Sequence, residues 1–216
     1  MRIIELSKRH IIFMDETFFK GMYLNFHLII AANKMYLVDT GMGSMHMEIV
    51  EEYMHKQKLS QPLIIINTHS HFDHYWGNDY FESELIIAHN KVLSEMVMGW
   101  EEVAHKPEYG NNELKLPNLT FDSELYFIED GIRLMHIPGH SESDICVYDE
   151  VEKVINMGDM VGDTDEEIVP YINTNKETFL NSIEKVKVLD IEHVICGHNK
   201  LLKKDVFERM IQEVKK

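Results

Sequence analysis

The chain has 216 residues, is 44% hydrophobic and carries a formal net charge of −16. That length and apolar content suit one domain over residues 1–216 with a substantial core. So acidic a chain lacks the basic patches that grip nucleic acid or an anionic membrane surface, which leaves a small-molecule substrate as the expected partner. The first residues, Met1 to His10, place Arg2, Glu5, Lys8 and Arg9 where an export leader would have its apolar core. No apolar run approaches the roughly 20 residues that span a bilayer. Cys146 and Cys196 form no redox or metal pair, so a reduced, cytoplasmic setting is expected. A homodimer is compatible with the sequence, because an apolar dimer face reads like core.

Residues 24–39 read as two strands around Asn33-Lys34, ending in the turn Asp39-Thr40-Gly41. Met45 to His55 reads as a helix with Ser44 as its N-cap. Leu63 to Ile66 and Leu85 to Ala88 are short apolar runs that suit buried strands, and a helix is expected from Lys91 to Met98. The stretch from Met98 to Asn118 holds Gly99, Pro107, Gly110 and Pro117 and is expected to be mostly loop. Further strands are expected at 125–128, 132–137, 145–148 and 154–157. Thr174-Asn175-Lys176-Glu177 matches a capping box that opens a helix. A strand at 193–196 and a last helix bearing Val206, Met210, Ile211 and Val214 complete the chain. The pattern alone gives a mixed α/β (α+β) fold, with two sheets faced by helices as a natural packing.

The chemistry concentrates after the strand at 63–66, in Thr68-His69-Ser70-His71-Phe72-Asp73-His74. Side chains alternate at a strand end, so His69 and His71 can point the same way. Asp73 and His74 follow as the chain turns and can face a neighbouring point. One short loop can thereby serve two metal ions, since imidazole and carboxylate together suit zinc, iron and related ions. A polar loop of clustered histidines is the alternative reading. Three further strand ends weigh against it: Pro138-Gly139-His140, Gly158-Asp159 and Gly197-His198 each set a glycine beside a residue able to bind metal.

Together these residues, from Asp39 to His198, resemble the metallo-β-lactamase superfamily. The resemblance implies a four-layer αββα sandwich with two divalent ions at one edge. It places His69, His71 and His140 on the first ion, Asp73, His74 and His198 on the second, and Asp159 between them. Asp39 matches a strand-end aspartate that orients a ligand histidine. Zinc is the first expectation, and iron or manganese suit the same donors. Asp73 and Asp159 are the candidate catalytic carboxylates, acting with a metal-bridging hydroxide.

The His and Asp pattern is most similar to glyoxalase II and its lactonase relatives, which implies hydrolysis of a small ester-like bond, a thioester or lactone. Two other readings stand beside it: a small-molecule phosphodiesterase, and an iron-dependent enzyme like the sulfur dioxygenases. A non-catalytic scaffold ranks last, because all seven ligand positions are filled. Cys196, two residues before His198, reads as buried strand cysteine rather than a thiolate ligand. His136 and His89 read as structural. His105, Tyr109 and Tyr171 are candidate substrate contacts, and Tyr75, Trp76 and Trp100 candidate pocket walls.

Overall fold

A computed structural model describes residues 1–83, 85–103 and 113–216. The expected mixed α/β class is observed. The chain forms two sheets, and five α-helices lie among the described residues. No described helix is long and apolar enough to cross a membrane. The backbone clusters into two compact units, one of residues 1–14 and 26–120, the other of 15–25 and 121–216.

The first unit is built on a seven-stranded sheet whose strands lie in sequence order. They are β1 (Arg2–Glu5), β2 (His10–Asp15), β3 (Leu24–Ile30), β4 (Met35–Val38), β5 (Leu63–Ile66), β6 (Leu85–His89) and β7 (Leu119–Phe121). β3 and β4 form the expected hairpin, with Ile30 opposite Met35. β4, β5 and β6 run parallel. β4 is buried at every position and β5 at its last three, which is why they read as continuous apolar runs rather than alternating ones. The parallel steps need crossovers, supplied by α1 (Ser44–Lys56) between β4 and β5 and by α2 (Phe72–Tyr75) between β5 and β6. The helix α3 (Val92–Val103) follows β6.

Two expectations are corrected here. Helix α1 begins at Ser44 itself, with Gly43 as N-cap at φ 78° and no side-chain cap. Helix α3 runs five residues past Met98, to Val103, into the stretch expected to be loop. Its packing explains this: Val92 and Met96 are buried with Tyr75 and Ala88, and Trp100 lies on Trp76 with ring centroids 4.4 Å apart. That burial outweighs the roughly 1 kcal/mol a helical glycine costs. Among the described residues, a Cβ on Gly99 would meet the Tyr75 hydroxyl and the Ser70 carbonyl at ordinary contact distance.

The second unit holds a five-stranded sheet in the order β12-β11-β10-β9-β8. These strands are β8 (Glu124–Phe127), β9 (Ile132–His136), β10 (Ile145–Asp149), β11 (Val154–Asn156) and β12 (His193–Ile195), with β11 and β12 parallel. The β10–β11 turn is held by Asp149, whose carboxylate accepts from Val151 N at 2.7 Å. The helices α4 (Lys176–Lys187) and α5 (Asp205–Val214) bury Phe179, Ile183 and Val186, and Val206, Phe207, Met210 and Ile211, in one cluster with Ile155, Met157 and Val194. Both helices show the i, i+3/i+4 spacing of a core-facing stripe. The helix is capped one residue later than the sequence suggests, by a single side-chain bond rather than a capping box. Asn175 is the N-cap, accepting from Thr178 N at 2.9 Å, while the Thr174 hydroxyl donates to the Gly139 carbonyl at 3.1 Å.

Candidate metal centre

In the first unit, β5 ends at Ile66 and the chain leaves it through Asn67, Thr68 and His69. His71 is then the N-cap of α2, so Asp73 and His74 fall in the helix's only turn. The short helix thus sets four donors in sequence on a strand-to-helix corner. His69 is fully buried, and its ring lies 4.6 Å from that of His71 and 4.2 Å from that of His74. His74 Nε2 and Asp73 Oδ2 lie 3.8 Å apart.

Behind them stands Asp39, at the end of β4 with φ 63°, a left-handed conformation that Asp tolerates better than most residues. Its Oδ1 accepts from Thr68 N at 2.8 Å. Its Oδ2 accepts from the Thr68 hydroxyl and from His74 Nδ1, each at 2.8 Å. Because the Thr68 hydroxyl hydrogen goes to Asp39, its lone pair can accept from His69 Nδ1 at 3.1 Å. One buried carboxylate therefore orients His74 directly and His69 through a threonine.

In the second unit, Gly139 turns the chain from β9 to His140. A Cβ there would lie 2.5 Å from Met160 Sδ and 2.7 Å from Phe179 Cδ2, so any larger residue forces a neighbour to shift. Asn173 N and Thr174 N both donate to the Gly139 carbonyl, and Asp144 accepts from the Ser141 hydroxyl at 2.8 Å, which fixes the turn on both sides of His140. Asp159 sits in a single 3-10 turn, Gly158–Met160, at the end of β11. His198 follows β12, and the Gly197 N–H donates to the Gly158 carbonyl at 2.9 Å. One oxygen, Asp159 Oδ2, lies 3.8 Å from His140 Nε2 and 3.3 Å from His198 Nε2.

The donor chemistry suits metal. His140 Nδ1 is 3.0 Å from the Tyr171 carbonyl oxygen, and His198 Nδ1 is 2.8 Å from the Tyr23 carbonyl oxygen. A carbonyl or carboxylate oxygen only accepts, so Nδ1 carries the hydrogen in His74, His140 and His198. In the neutral imidazole Nε2 then carries the lone pair, the tautomer in which imidazole binds a cation. His69, His71, Asp73, His74, His140, Asp159 and His198 all fall in groups of side chains able to hold a metal ion.

Other candidates have separate places. His105 and Tyr109 lie outside the described residues. Tyr171 is 78% exposed; it meets His140 through its backbone carbonyl. Tyr75 and Trp76 are core, at 2% and 1% exposure, rather than pocket wall. His136 pairs through Nε2 with the Glu142 carbonyl at 2.9 Å. His89 Nδ1 accepts from Lys91 N at 3.4 Å. Burial, and then the Asp159 charge, push the Cys196 thiol far up, so it stays protonated. In the acidic stretch after Asp159, Asp165 pairs with Lys200 and Arg209, and Lys200 holds its carboxyl below the usual range. Sequence reasoning missed Thr68, Asn67 and Asn78, which lie behind the histidine loop, and the Tyr23 and Tyr171 carbonyls. Thr68 and Asn67 adjoin His69, a positional hint; a carbonyl leaves no trace in residue identity.

Comparison with known proteins agrees with this geometry. The family model for the metallo-β-lactamase superfamily matches residues 22–198. The acyl-coenzyme A thioesterase MBLAC2 of Homo sapiens is 26% identical over 223 residues, covering 87% of this chain and 77% of that protein. An N-acyl homoserine lactonase of a Bacillus species is 29% identical over 147 residues, covering 63% of this chain and 56% of the lactonase. Among solved structures, a metallo-β-lactamase from Pontibacter korlensis superposes with a TM-score of 0.78 at 15% identity, covering 99% of this chain and 98% of its own.

Proposed function

Because this chain belongs to the metallo-β-lactamase superfamily and is a metal-dependent hydrolase, we propose that it cleaves a small ester-like bond, a thioester or lactone, at a centre of two divalent ions, zinc first. In this reading His69, His71 and His140 hold one ion, Asp73, His74 and His198 hold the other, and Asp159 serves both. The observation that carries it is the tethering of Nδ1 in His74, His140 and His198 to oxygen acceptors, which in the neutral imidazole leaves each Nε2 a lone pair to offer a cation. Thioester and lactone are favoured because the thioesterase and lactonase relatives act on acyl-coenzyme A and N-acyl homoserine lactone, both acyl carbonyl compounds.

Two ions, when bound, acidify a shared water to a nucleophile near neutral pH and polarise the attacked carbonyl. The protein's part is positional. Asp39 and Thr68 fix the imidazoles of His74 and His69. The carbonyls of Tyr171 and Tyr23 fix His140 and His198. Asp73 orients the attacking water and can take its proton.

Elemental analysis of purified protein tests this, with hydrolysis of a short-chain acyl-coenzyme A, an acyl lactone and a phosphodiester followed on the same sample. Close to two metals per chain with thioester or lactone cleavage is the expected result. One iron per chain with oxygen uptake and no hydrolysis would replace it by redox chemistry. Phosphodiester cleavage alone would replace the substrate class.

A further inference from the structure

Behind the histidine loop lies a pair of buried amides that no catalytic role requires. Asn67 and Asn78 are 0% and 1% exposed. Asn67 Nδ2 donates to Asn78 Oδ1 and Asn78 Nδ2 donates to Asn67 Oδ1, both at 2.9 Å. The reciprocal pair fixes both amide planes, since flipping either would set N–H against N–H.

The pair ties together the backbones that carry the metal donors. Asn67 precedes Thr68 and His69. Its Nδ2 also donates to the His74 carbonyl at 3.3 Å. That carbonyl accepts from Thr40 N at 2.9 Å as well. The Thr40 hydroxyl donates to Asn78 Oδ1 at 3.0 Å, and Thr40 follows Asp39. Asn78 Nδ2 reaches on to the Lys115 carbonyl at 3.1 Å. Three segments therefore meet at one amide pair: the β4 end with Asp39, the β5 end with His69, and the end of α2 with His74. The approach is close. A Cβ on Gly77 would lie 2.5 Å from the Thr40 carbonyl oxygen.

We propose that Asn67 and Asn78 are positioning residues for the Asp73–His74 metal position. They touch no donor atom. They set the angle at which Asp39 meets His74, because Asp39 and the His74 backbone are both fixed to the pair through Thr40. Two apolar residues would fill the same volume, but they would take the Asn78 acceptor from the Thr40 hydroxyl and the Asn67 donor from the His74 carbonyl, leaving that carbonyl to Thr40. A buried polar network in which every member is bonded fixes one arrangement. Groups that orient ligands typically change metal affinity by about 10–100-fold when removed.

The inference rests on the two-metal reading, and the test separates the two. The probe is cobalt(II), titrated into metal-free protein against a chelator, with visible absorption reporting ligand geometry. Wild type, Asn78→Leu and Thr40→Val are compared, and metal-free thermal unfolding is recorded for each. Thr40→Val keeps the shape and removes only the hydroxyl link, so it decides the matter if Asn78→Leu does not fold. The expected result is two cobalt ions in wild type. In the variants, one ion should bind at least about tenfold more weakly with a changed spectrum, and the other should stay within twofold. If both affinities stay within twofold, or both fall equally, the positioning role is overturned while the two-metal reading stands. If wild type takes up a single ion, the reading fails and takes this inference with it.

Discussion

Asp39 Oδ2 and His74 Nδ1 lie 2.8 Å apart with side-chain exposures of 3% and 0%. The pair forms across 35 residues of sequence and joins the end of β4 to α2. Since Asp39 adopts φ 63°, asparagine is the substitution that tests its charge without adding backbone strain. Asp39→Asn should weaken metal binding about 10–100-fold, measured by chelator competition. It should also lower metal-free stability by about 1–3 kcal/mol, measured by urea unfolding, because an amide cannot accept all three bonds Asp39 now accepts. Unchanged metal affinity would show that His74 needs no anionic partner.

Asp159 serves two imidazoles through one oxygen. Asp159→Asn should therefore reduce content of both metals and abolish most hydrolysis, whereas His71→Ala should empty one position first. Elemental analysis of the two variants distinguishes these outcomes. Full metal content in Asp159→Asn would remove its bridging role.

Gly139→Ala is expected to destabilise by about 1–3 kcal/mol, because its Cβ would meet Met160 and Phe179 at under 3 Å. Met160 adjoins Asp159, so relief of the clash should also disturb metal uptake. Thermal unfolding with and without zinc measures both effects. An unchanged melting temperature would mean that the Met160 side chain yields freely.

Cys146 gives a pH dependence with a definite sign. Burial pushes its thiol from an ordinary 9.0 up to about 12. Between those values the unfolded chain loses this proton while the folded chain keeps it. Stability is unaffected below about pH 9 and falls as pH rises from there towards 12, by about 1.4 kcal/mol per pH unit at most. Urea midpoints at pH 8 and pH 10, compared between wild type and Cys146→Ala, isolate the contribution. An identical pH response in the two proteins would rule it out.

Tyr171→Ala should leave metal content unchanged, because His140 is held by the Tyr171 main-chain carbonyl and the phenol is 78% exposed. A phenol that contacts substrate predicts a raised KM with kcat little altered. Loss of metal in this variant would show that the side chain shapes the loop.

Much of this molecule was legible in the sequence. The hairpin at Asn33-Lys34, the apolar runs of β5 and β6, and the stripe of α5 are local patterns with one physical reading. The histidine loop and the three Gly-plus-donor corners were legible because their residue types are rare together. What was not legible depends on tertiary burial. β2 is buried throughout and so shows no alternation that would mark it as a strand. Gly99 stays helical because Trp100 and Met96 have partners elsewhere in the unit. The N-cap fell to Asn175 rather than Thr174 because the Gly139 carbonyl, 35 residues away, took the Thr174 hydroxyl.

Two of the histidines are gripped by main-chain oxygens, those of Tyr23 and Tyr171. Any amino acid supplies such an oxygen. The side chains at 23 and 171 are therefore released from the duty of orienting metal. They can be exchanged while the imidazoles held by their carbonyls keep their tautomer and aim. The scaffold thus separates what must stay constant, the aim of two imidazoles, from what can drift, the side chains of the residues that lend those oxygens.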